Sequence, residues 1–286
     1  MTRGVLAAAA AAALLFAPVA AGLARQWYDD PASSHGLILI IAAAVVLWRR
    51  WGALRALPQA PANTGLAALA FALLIFVAGS LAGELFVLRI AMVAAVGALV
   101  LSLYGARHLR TLAAPLGLLL LSIPLPAVIV TTLTLPLQLL ASQIAAASLT
   151  TVGIDVARTG NILTLSNVSL EVADACSGLR SIVSLVAMVA VFKALGHVRT
   201  SHALLLVLAT VPIAIVGNGL RVTGTGVLAR LFGAGAARGF VHDLTGYVAF
   251  AVMCAVLVCV YRLMLRCQRP TPPAEQDTCE SPALAW

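Results

Sequence analysis

The sequence predicts an all-α polytopic membrane protein with about eight transmembrane helices, a small extracytoplasmic β-ribbon and interfacial or re-entrant segments. Of its 286 residues, 62% are hydrophobic and only 10% are charged, and the mean hydropathy is +1.05. A soluble domain carries about 25% charged residues, so this composition excludes one. Apolar runs of roughly 17–25 residues, the length that crosses a bilayer, recur along the chain. The candidate spans are 4–24, 36–51, 64–83, 85–105, 112–131, 178–195, 201–220 and 242–264.

The basic residues orient these spans. The net charge of +8 does not indicate a nucleic-acid partner, because Lys and Arg form short clusters between apolar runs and not a continuous basic stripe with interleaved aromatics. With both termini in the cytoplasm, most basic residues lie inside, among them Arg3, the 48–55 cluster and Arg266. Most acidic residues, such as Asp30 and Glu171, then lie outside. We expect a multi-pass protein of the cytoplasmic (inner) membrane, in contact with membrane lipid.

The two ends of the chain differ in character. Small residues near Val19-Ala-Ala-Gly22 follow the first apolar run, so a cleaved signal peptide stays open as an alternative to a retained first span. The orientation of the other spans is the same in both cases. Residues 1–269 are expected to form one integral membrane domain. Residues 270–286 open with Pro270-Thr-Pro-Pro and are predicted to be a disordered cytoplasmic tail.

Three segments do not resemble ordinary spans. Residues 132–152 mix Gln and Ser into apolar surroundings, which favours a helix at the outer interface, with a ninth span left open. Between 154 and 173 the apolar period changes to two, in Ile162–Leu165 and Val168–Val172, which predicts a β-ribbon that leads to residue 176. Glycines interrupt residues 219–240, which predicts a re-entrant or interfacial segment there.

One of the five cysteines stands apart from the others. The cysteines form no CxxC pair and no His/Cys spacing typical of zinc, so we expect neither a metal nor a cofactor. Only Cys176 lies where a polar stretch meets an apolar run. The others are interpreted as small apolar packing or tail residues; they are Cys254, Cys259, Cys267 and Cys279.

Cys176 is a candidate nucleophile. It precedes a predicted helix, and the unpaired N–H groups and dipole at a helix N-terminus favour the thiolate. Arg180, four residues later, adds positive potential and is a candidate for substrate binding, whereas Asp174 disfavours the thiolate. A buried structural cysteine is the alternative interpretation.

Arg221 and His242 occupy the same outer edge of two later spans. Arg221 is interpreted either as a functional residue or as an arginine that extends to the interface. Asn218, three residues earlier, shares its helical face and is a second candidate for substrate binding. His242 opens the last span, and histidine is the side chain whose pKa suits proton transfer near neutrality. His35 also lies outside and competes with His242 for that role.

In order and topology, these segments resemble the exosortase/archaeosortase family of multispanning membrane proteins. The resemblance extends from about residue 27 to 264. The matching segments are Ser34–Leu37, Ile123–Pro126, Gly153–Asn161, Val172-Ala-Asp-Ala-Cys-Ser-Gly-Leu-Arg180, Pro212-Ile-Ala-Ile-Val-Gly-Asn-Gly-Leu-Arg221 and His242-Asp-Leu-Thr-Gly246.

The resemblance implies a membrane cysteine transpeptidase that cleaves C-terminal sorting signals at the outer membrane–water interface and transfers the protein to an acceptor. It implies Cys176 as nucleophile, Arg221 as the basic residue and His242 as proton carrier. Its implied partners are secreted proteins that end in a Pro-Glu-Pro-type motif, an apolar helix and a basic cluster. Two alternatives stay open from the residues alone, namely a non-catalytic scaffold for polysaccharide export and a transporter with broken helices.

Overall fold

The computed structural model describes residues 3–166, 168–172, 178–233 and 239–267, the last range without the side chains of 239–243 and 267. Within these ranges the chain forms nine α-helices and one three-stranded sheet. The helices are α1 Arg3–Asp29, α2 His35–Ala56, α3 Asn63–Ala82, α4 Leu85–Tyr104, α5 Ala106–Leu121, α6 Ala127–Thr151, α7 Leu179–Ala194, α8 Thr200–Phe232 and α9 Gly239–Cys267. The predicted tail over 270–286 lies outside the described residues.

Most of the described helices are long and apolar enough to cross a membrane. Seven helices in the described ranges meet this condition by length and composition, and they are α1 to α4, α6, α8 and α9. By contrast, α5 and α7 have 16 residues each. A helix of that length is about 24 Å long, somewhat less than the roughly 30 Å of a hydrocarbon core. The prediction of an all-α polytopic membrane protein is confirmed.

The predicted fifth span, 112–131, is not one helix. Helix α5 ends at Leu121 and α6 begins at Ala127, and the sequence between them is Ser-Ile-Pro-Leu-Pro. Proline lacks the N–H that would continue the helical hydrogen bonds, and it disfavours helical backbone in the residue before it. The two prolines of Pro124-Leu-Pro126 therefore separate two helices where apolar composition alone predicted a single one.

Helix α6 begins on the side of the helix bundle where α7 also begins. The indole Nε1 of Trp27, near the end of α1, donates to the carbonyl of Ser122 at 2.9 Å, so the end of α5 lies beside the end of α1. The start of α7 lies beside the start of α2, because Arg180 and His35 line the same cavity. A short turn joins α1 to α2, so all four ends share one face. Although α6 is apolar enough to cross, this connectivity favours the interfacial helix predicted over 132–152.

A β-ribbon packs against α6 on this face, which we call the ribbon face. Its strands are β1 Val156–Thr159, β2 Ile162–Leu165 and β3 Ser169–Glu171, paired antiparallel in the order β1-β2-β3. Leu163 and Leu165 are buried between α6 and the ribbon, whereas the residues that alternate with them are exposed. The predicted ribbon is confirmed. The sequence pattern missed β1, since three of its four residues are exposed and it lacks an apolar alternation.

Helix α8 contradicts the break that was predicted within residues 219–240, where a re-entrant or interfacial segment was expected, as far as Phe232; residues 234–238 lie outside the described residues. It runs without a break from Thr200 to Phe232, 33 residues, or about 50 Å. Its glycines allow close packing and do not end it. A Cβ built on Gly219 would lie 2.5 Å from Cγ2 of Ile144 on α6, and one on Gly226 would lie 3.0 Å from Cδ1 of Leu149. Because glycine has no side chain, α6 and α8 approach each other along these positions.

Candidate active site

The five predicted site residues are described to different extents. Cys176 lies in 173–177, outside the described residues, and only the backbone of His242 is described, in the first turn of α9. Arg180 is exposed near the start of α7, Arg221 is half-buried on α8, and Asn218 on α8 is only 2% exposed. On either side of the candidate nucleophile, the nearest described residues in the sequence are Val172 and Gly178.

The chain that leads to Cys176 is anchored to the ribbon. The N–H of Val172 donates to the carbonyl of Asn161 at 2.9 Å, and the Asn161 side-chain Nδ2 donates to the carbonyl of Val172 at 3.2 Å. Val172 is itself buried, in a cluster with Leu163 of the ribbon and Val222 of α8. Val172, the last described residue before 173–177, is thus held by hydrogen bonds through both its N–H and its C=O, and by apolar packing.

The chain that follows Cys176 is anchored to α8. Gly178 caps α7 with φ +84°, a left-handed conformation that favours glycine. A Cβ built on Gly178 would lie 3.2 Å from Cβ of Asn218 and 3.5 Å from its Nδ2. Asn218 therefore packs directly over the start of α7. Gly178 follows the candidate nucleophile Cys176 by two residues in the sequence and is the first described residue after it.

The guanidinium of Arg221 lies against α9 at Gly246. A Cβ built on Gly246 would lie 3.0 Å from Nη2, 3.2 Å from Cζ and 3.4 Å from Nε of Arg221. Gly246 follows His242 by four residues within α9, and positions four apart share one face of a helix. The helix face that receives Arg221 is therefore the face on which the backbone carries His242.

Close packing holds α7, α8 and α9 together beneath this site. A shared apolar core contains Leu185 of α7, Ala214 of α8 and Met253 of α9. A Cβ on Gly217 would lie 2.5 Å from Cγ of Met253, so only glycine fits there without movement. The sequence predicted that three separate span edges meet, and the described residues around them converge at the ribbon face. The mutual geometry of the Cys176, Arg221 and His242 side chains stays a prediction.

A family model described as transmembrane exosortase matches residues 27–259. The chain belongs to the transmembrane exosortase family. No curated protein and no solved structure matches the chain. The region that matches begins at Trp27 and contains every candidate site position, from the Asn161 anchor to Gly246. The family resemblance predicted from the sequence is confirmed.

Two cavities of this exosortase meet at Arg180 and His35. One of about 350 Å³ lies between α2 and α7, with Phe250 of α9 in its lining, and one of about 620 Å³ lies on the α6 side of α7. Ring nitrogen Nδ1 of His35 lies 3.2 Å from the carbonyl of Ala32, a contact in which it donates when it carries the proton. Asp30 accepts hydrogen bonds from the Ser33 hydroxyl at 2.6 Å and the Ala32 N–H at 2.9 Å. His35, the competing histidine, is thus grouped with Arg180.

Sequence reasoning missed the residues that surround the predicted groups. Gly246 and Gly178 each receive a polar side chain of α8, and Asn161 anchors the chain before Cys176. The four-residue spacing from His242 to Gly246 was a signal that could have identified the first. In the part of the chain that the structure describes, no group of three His, Cys, Asp or Glu residues could hold a metal ion.

Proposed function

We propose that this exosortase is a membrane-embedded cysteine transpeptidase that cleaves C-terminal sorting signals of secreted proteins and transfers the proteins to an acceptor. The carrying observation is that Asn218 and Arg221, one turn apart on α8, contact the start of α7 and the first turns of α9. These contacts support an arrangement in which Cys176, Arg221 and His242 act together. Membership of the exosortase family supports the same reaction class.

The ribbon face is the extracytoplasmic face in this proposal. Charge supports the assignment, because Arg and Lys are concentrated at the opposite ends of the helices, as in the 48–55 cluster and at Arg262 and Arg266. The chain is then a multi-pass protein of the cytoplasmic (inner) membrane. Its substrates arrive as secreted proteins whose C-terminal Pro-Glu-Pro-type motif lies at the interface, followed by an apolar helix and a basic cluster.

In the first half of the reaction, the Cys176 thiolate attacks the carbonyl carbon of the scissile peptide bond. The C–S bond forms as the carbonyl π electrons move onto oxygen, and the guanidinium of Arg221 donates hydrogen bonds to that oxyanion. When the tetrahedral intermediate collapses, the C–N bond breaks and the leaving nitrogen takes a proton from the His242 imidazolium. The products are an acyl thioester on Cys176 and a free amine on the released segment.

In the second half, an acceptor amine attacks the thioester and gives up a proton to His242. Collapse of the second tetrahedral intermediate breaks the C–S bond, so the acceptor gains an amide bond and Cys176 leaves as thiolate. Water in place of the amine gives hydrolysis with the same balance. If the resting thiol is protonated, His242 first removes that proton and becomes the imidazolium used in the first half. Both starting states use the same three residues.

The position of Arg221 suits an oxyanion binder. Its guanidinium is half-buried and lies flat enough against Gly246 to come within 3.0–3.4 Å of a built Cβ at three atoms. Hydrogen bonds from a charged donor are stronger than neutral ones, and partial burial strengthens them further. A donor that is already positioned has little to reorganise as charge develops on the oxygen.

The test is C-terminal processing of a co-expressed secreted protein that carries a sorting signal. Wild type is compared with Cys176→Ala, Arg221→Ala and His242→Ala at matched membrane levels, and products are analysed by gel shift and mass spectrometry. Loss of processing in all three variants supports the thiol mechanism, and the product mass distinguishes transfer from hydrolysis. Full processing by Cys176→Ala contradicts it and favours a non-catalytic scaffold.

A further inference from the structure

An apolar groove descends from the candidate site along α7. This cavity of about 350 Å³, which we call the α7–α9 groove, has a polar end formed by Ser34, His35 and Arg180. Below that end its wall is mainly apolar, with Ile38 of α2, Met188 of α7 and Phe250 of α9. Its volume falls within the range of about 300–1,000 Å³ that is usual for ligand-binding clefts.

The lining residues of α7 show how the groove runs. They are Arg180, Ser184, Ala187, Met188, Val191 and Phe192, which recur at three- and four-residue intervals on one face of the helix. From first to last they cover about 18 Å along the helix axis. The groove therefore begins at the ribbon face and continues into the depth of the membrane, where it can hold an apolar segment that lies parallel to α7.

One residue of α9, Phe250, lines the groove and relates it to the candidate site. Phe250 follows Gly246 by four residues and His242 by eight, so all three positions lie on one face of α9. The larger cavity of about 620 Å³ shares Arg180 and His35, but its other α7 residues are Leu179, Ile182, Val183 and Val186. Its described lining contains no residue of α8 or α9. Of the two cavities, the α7–α9 groove is the one whose described lining includes a residue of α9, the helix that carries Gly246 and His242.

We propose that the α7–α9 groove is the docking surface for the apolar helix of the substrate, and that Arg180 at its polar end binds the acidic side chain of the motif before that helix. The proposal rests on the proposed function. Three features specify this occupant. Arg180 at the polar end follows Cys176 by four residues in the sequence. The apolar wall continues from that end into the membrane, the direction that a substrate helix takes. The exposed guanidinium of Arg180 complements a carboxylate.

Side-chain packing is the interaction that such a groove offers. Within a bilayer, helices associate through van der Waals contacts and interhelical hydrogen bonds, since lipid tails are as apolar as leucine. A concave wall with small residues, Ser184 and Ala187, admits the side chains of an incoming helix. A lipid acyl chain competes for the same space, and the experiment distinguishes the two occupants.

The first measurement is site-specific photo-cross-linking in full-length Cys176→Ala protein, which binds substrate without turnover. A benzophenone amino acid replaces Met188, which lines the α7–α9 groove, or Val186, which lines only the larger cavity. We expect a cross-linked adduct with the co-expressed sorting-signal protein from position 188 and at least about tenfold less from position 186. Cross-linking mainly from position 186, or adducts with lipid alone, overturns the proposal.

The second measurement fills one cavity at a time in active enzyme. Ser184→Phe places a ring in the α7–α9 groove, and Val183→Phe places the same ring in the larger cavity from the neighbouring half-buried position. We expect Ser184→Phe to slow processing by at least about tenfold at equal membrane level, and Val183→Phe to stay within about twofold of wild type. Equal rates for the two variants overturn the docking assignment.

Failure of the proposed function gives a different result from failure of the docking assignment. If wild type does not process the sorting signal, the transpeptidase itself is contradicted and the groove loses its substrate. If wild type processes it while position 188 gives no adduct and Ser184→Phe remains active, only the α7–α9 groove assignment is wrong.

Arg180→Glu adds a charge test. Its processing defect should be relieved when the glutamate of the motif is changed to lysine, and absence of such relief contradicts the carboxylate contact.

Discussion

The two contacts that α8 makes near the candidate site differ in kind, although they lie one helical turn apart. Asn218 is buried against Gly178, where the backbone is left-handed and the chain emerges from the segment that contains Cys176. Arg221 is half-buried, and its long side chain lies over Gly246 of α9. The first contact fixes a piece of backbone, whereas the second fixes the end of a flexible side chain. One helix therefore makes two separate contacts, one with the backbone that follows Cys176 and one with the helix that carries His242.

Arg221→Lys should produce the largest loss of processing, because it changes the contact of Arg221 with α9. Lysine retains the charge but loses the planar fork that donates from two nitrogens, so the oxyanion loses a positioned donor. Loss of one such donor costs about 10²–10³ in kcat, which we expect here. The matched readout is the rate at which maleimide alkylates Cys176, which should change by less than about threefold. A large change in alkylation would show that Arg221 also acts on the nucleophile.

Asn218→Leu should give the next largest effect, because it changes the other of the two contacts, the one between Asn218 and Gly178. The side chain is buried, and removal of a buried polar group leaves its partners unsatisfied at a cost of about 1–3 kcal/mol. Because Asn218 packs on Gly178, we expect both processing and the alkylation rate of Cys176 to change by about tenfold. Measurement of both rates in detergent-solubilised enzyme checks this. A processing defect with unchanged alkylation would assign Asn218 to the substrate instead.

Gly246→Ala should have a smaller effect, confined to the Arg221 contact. The new Cβ would lie 3.0 Å from Nη2, so the guanidinium must move by a few tenths of an ångström. Misplacement of a catalytic group by 1 Å can cost about 10²-fold, so a several-fold loss of processing is expected. Gly224→Ala is the matched control, since a Cβ there meets nothing within 4 Å. Equal activity of the two variants would show that Arg221 tolerates displacement.

Asn161→Ala should have the smallest effect. It removes the Nδ2 hydrogen bond to the Val172 carbonyl but leaves the backbone bond between the same two residues. One hydrogen bond contributes about 0.5–1.5 kcal/mol, and apolar packing of Val172 continues to hold the chain. We expect a loss of processing of about threefold or less, measured in the gel-shift assay. A complete loss would mean that the ribbon anchor, and not the Gly178 contact, positions the nucleophile.

Most of the fold could be predicted from composition and length because the bilayer restricts a chain to few solutions. The span over 85–105 corresponds to α4 and the span over 64–83 to α3, each within one residue. The divided span at Ser122–Pro126 shows the limit of this approach. Hydropathy averages over a window, whereas two prolines end a helix locally. The Pro-Leu-Pro sequence is a local signal that an average of hydropathy over a window does not register.

The error at α8 has a different physical origin. Gly219, Gly224 and Gly226 weaken a helix by about 1 kcal/mol each relative to alanine, so a glycine-rich stretch predicts a break. Tertiary packing reverses that preference, because two of them receive Ile144 and Leu149 of α6. The partner helix lies more than 70 residues earlier in the chain. No local pattern reports which helix will be adjacent, and the Arg221–Gly246 contact was out of reach for the same reason.

The length of α8 makes bilayer thickness a variable of the chemistry. A helix of about 50 Å exceeds a hydrocarbon core of roughly 30 Å, so its C-terminal part stands beyond the acyl chains. Val222, about 33 Å along the helix, packs with the ribbon, and Asn218, about 27 Å along it, packs on the start of α7. Helices respond to a thinner or thicker membrane by tilting. A change in lipid chain length should therefore tilt α8. Because Asn218 and Arg221 lie on this one helix, the tilt should move both of their contacts together.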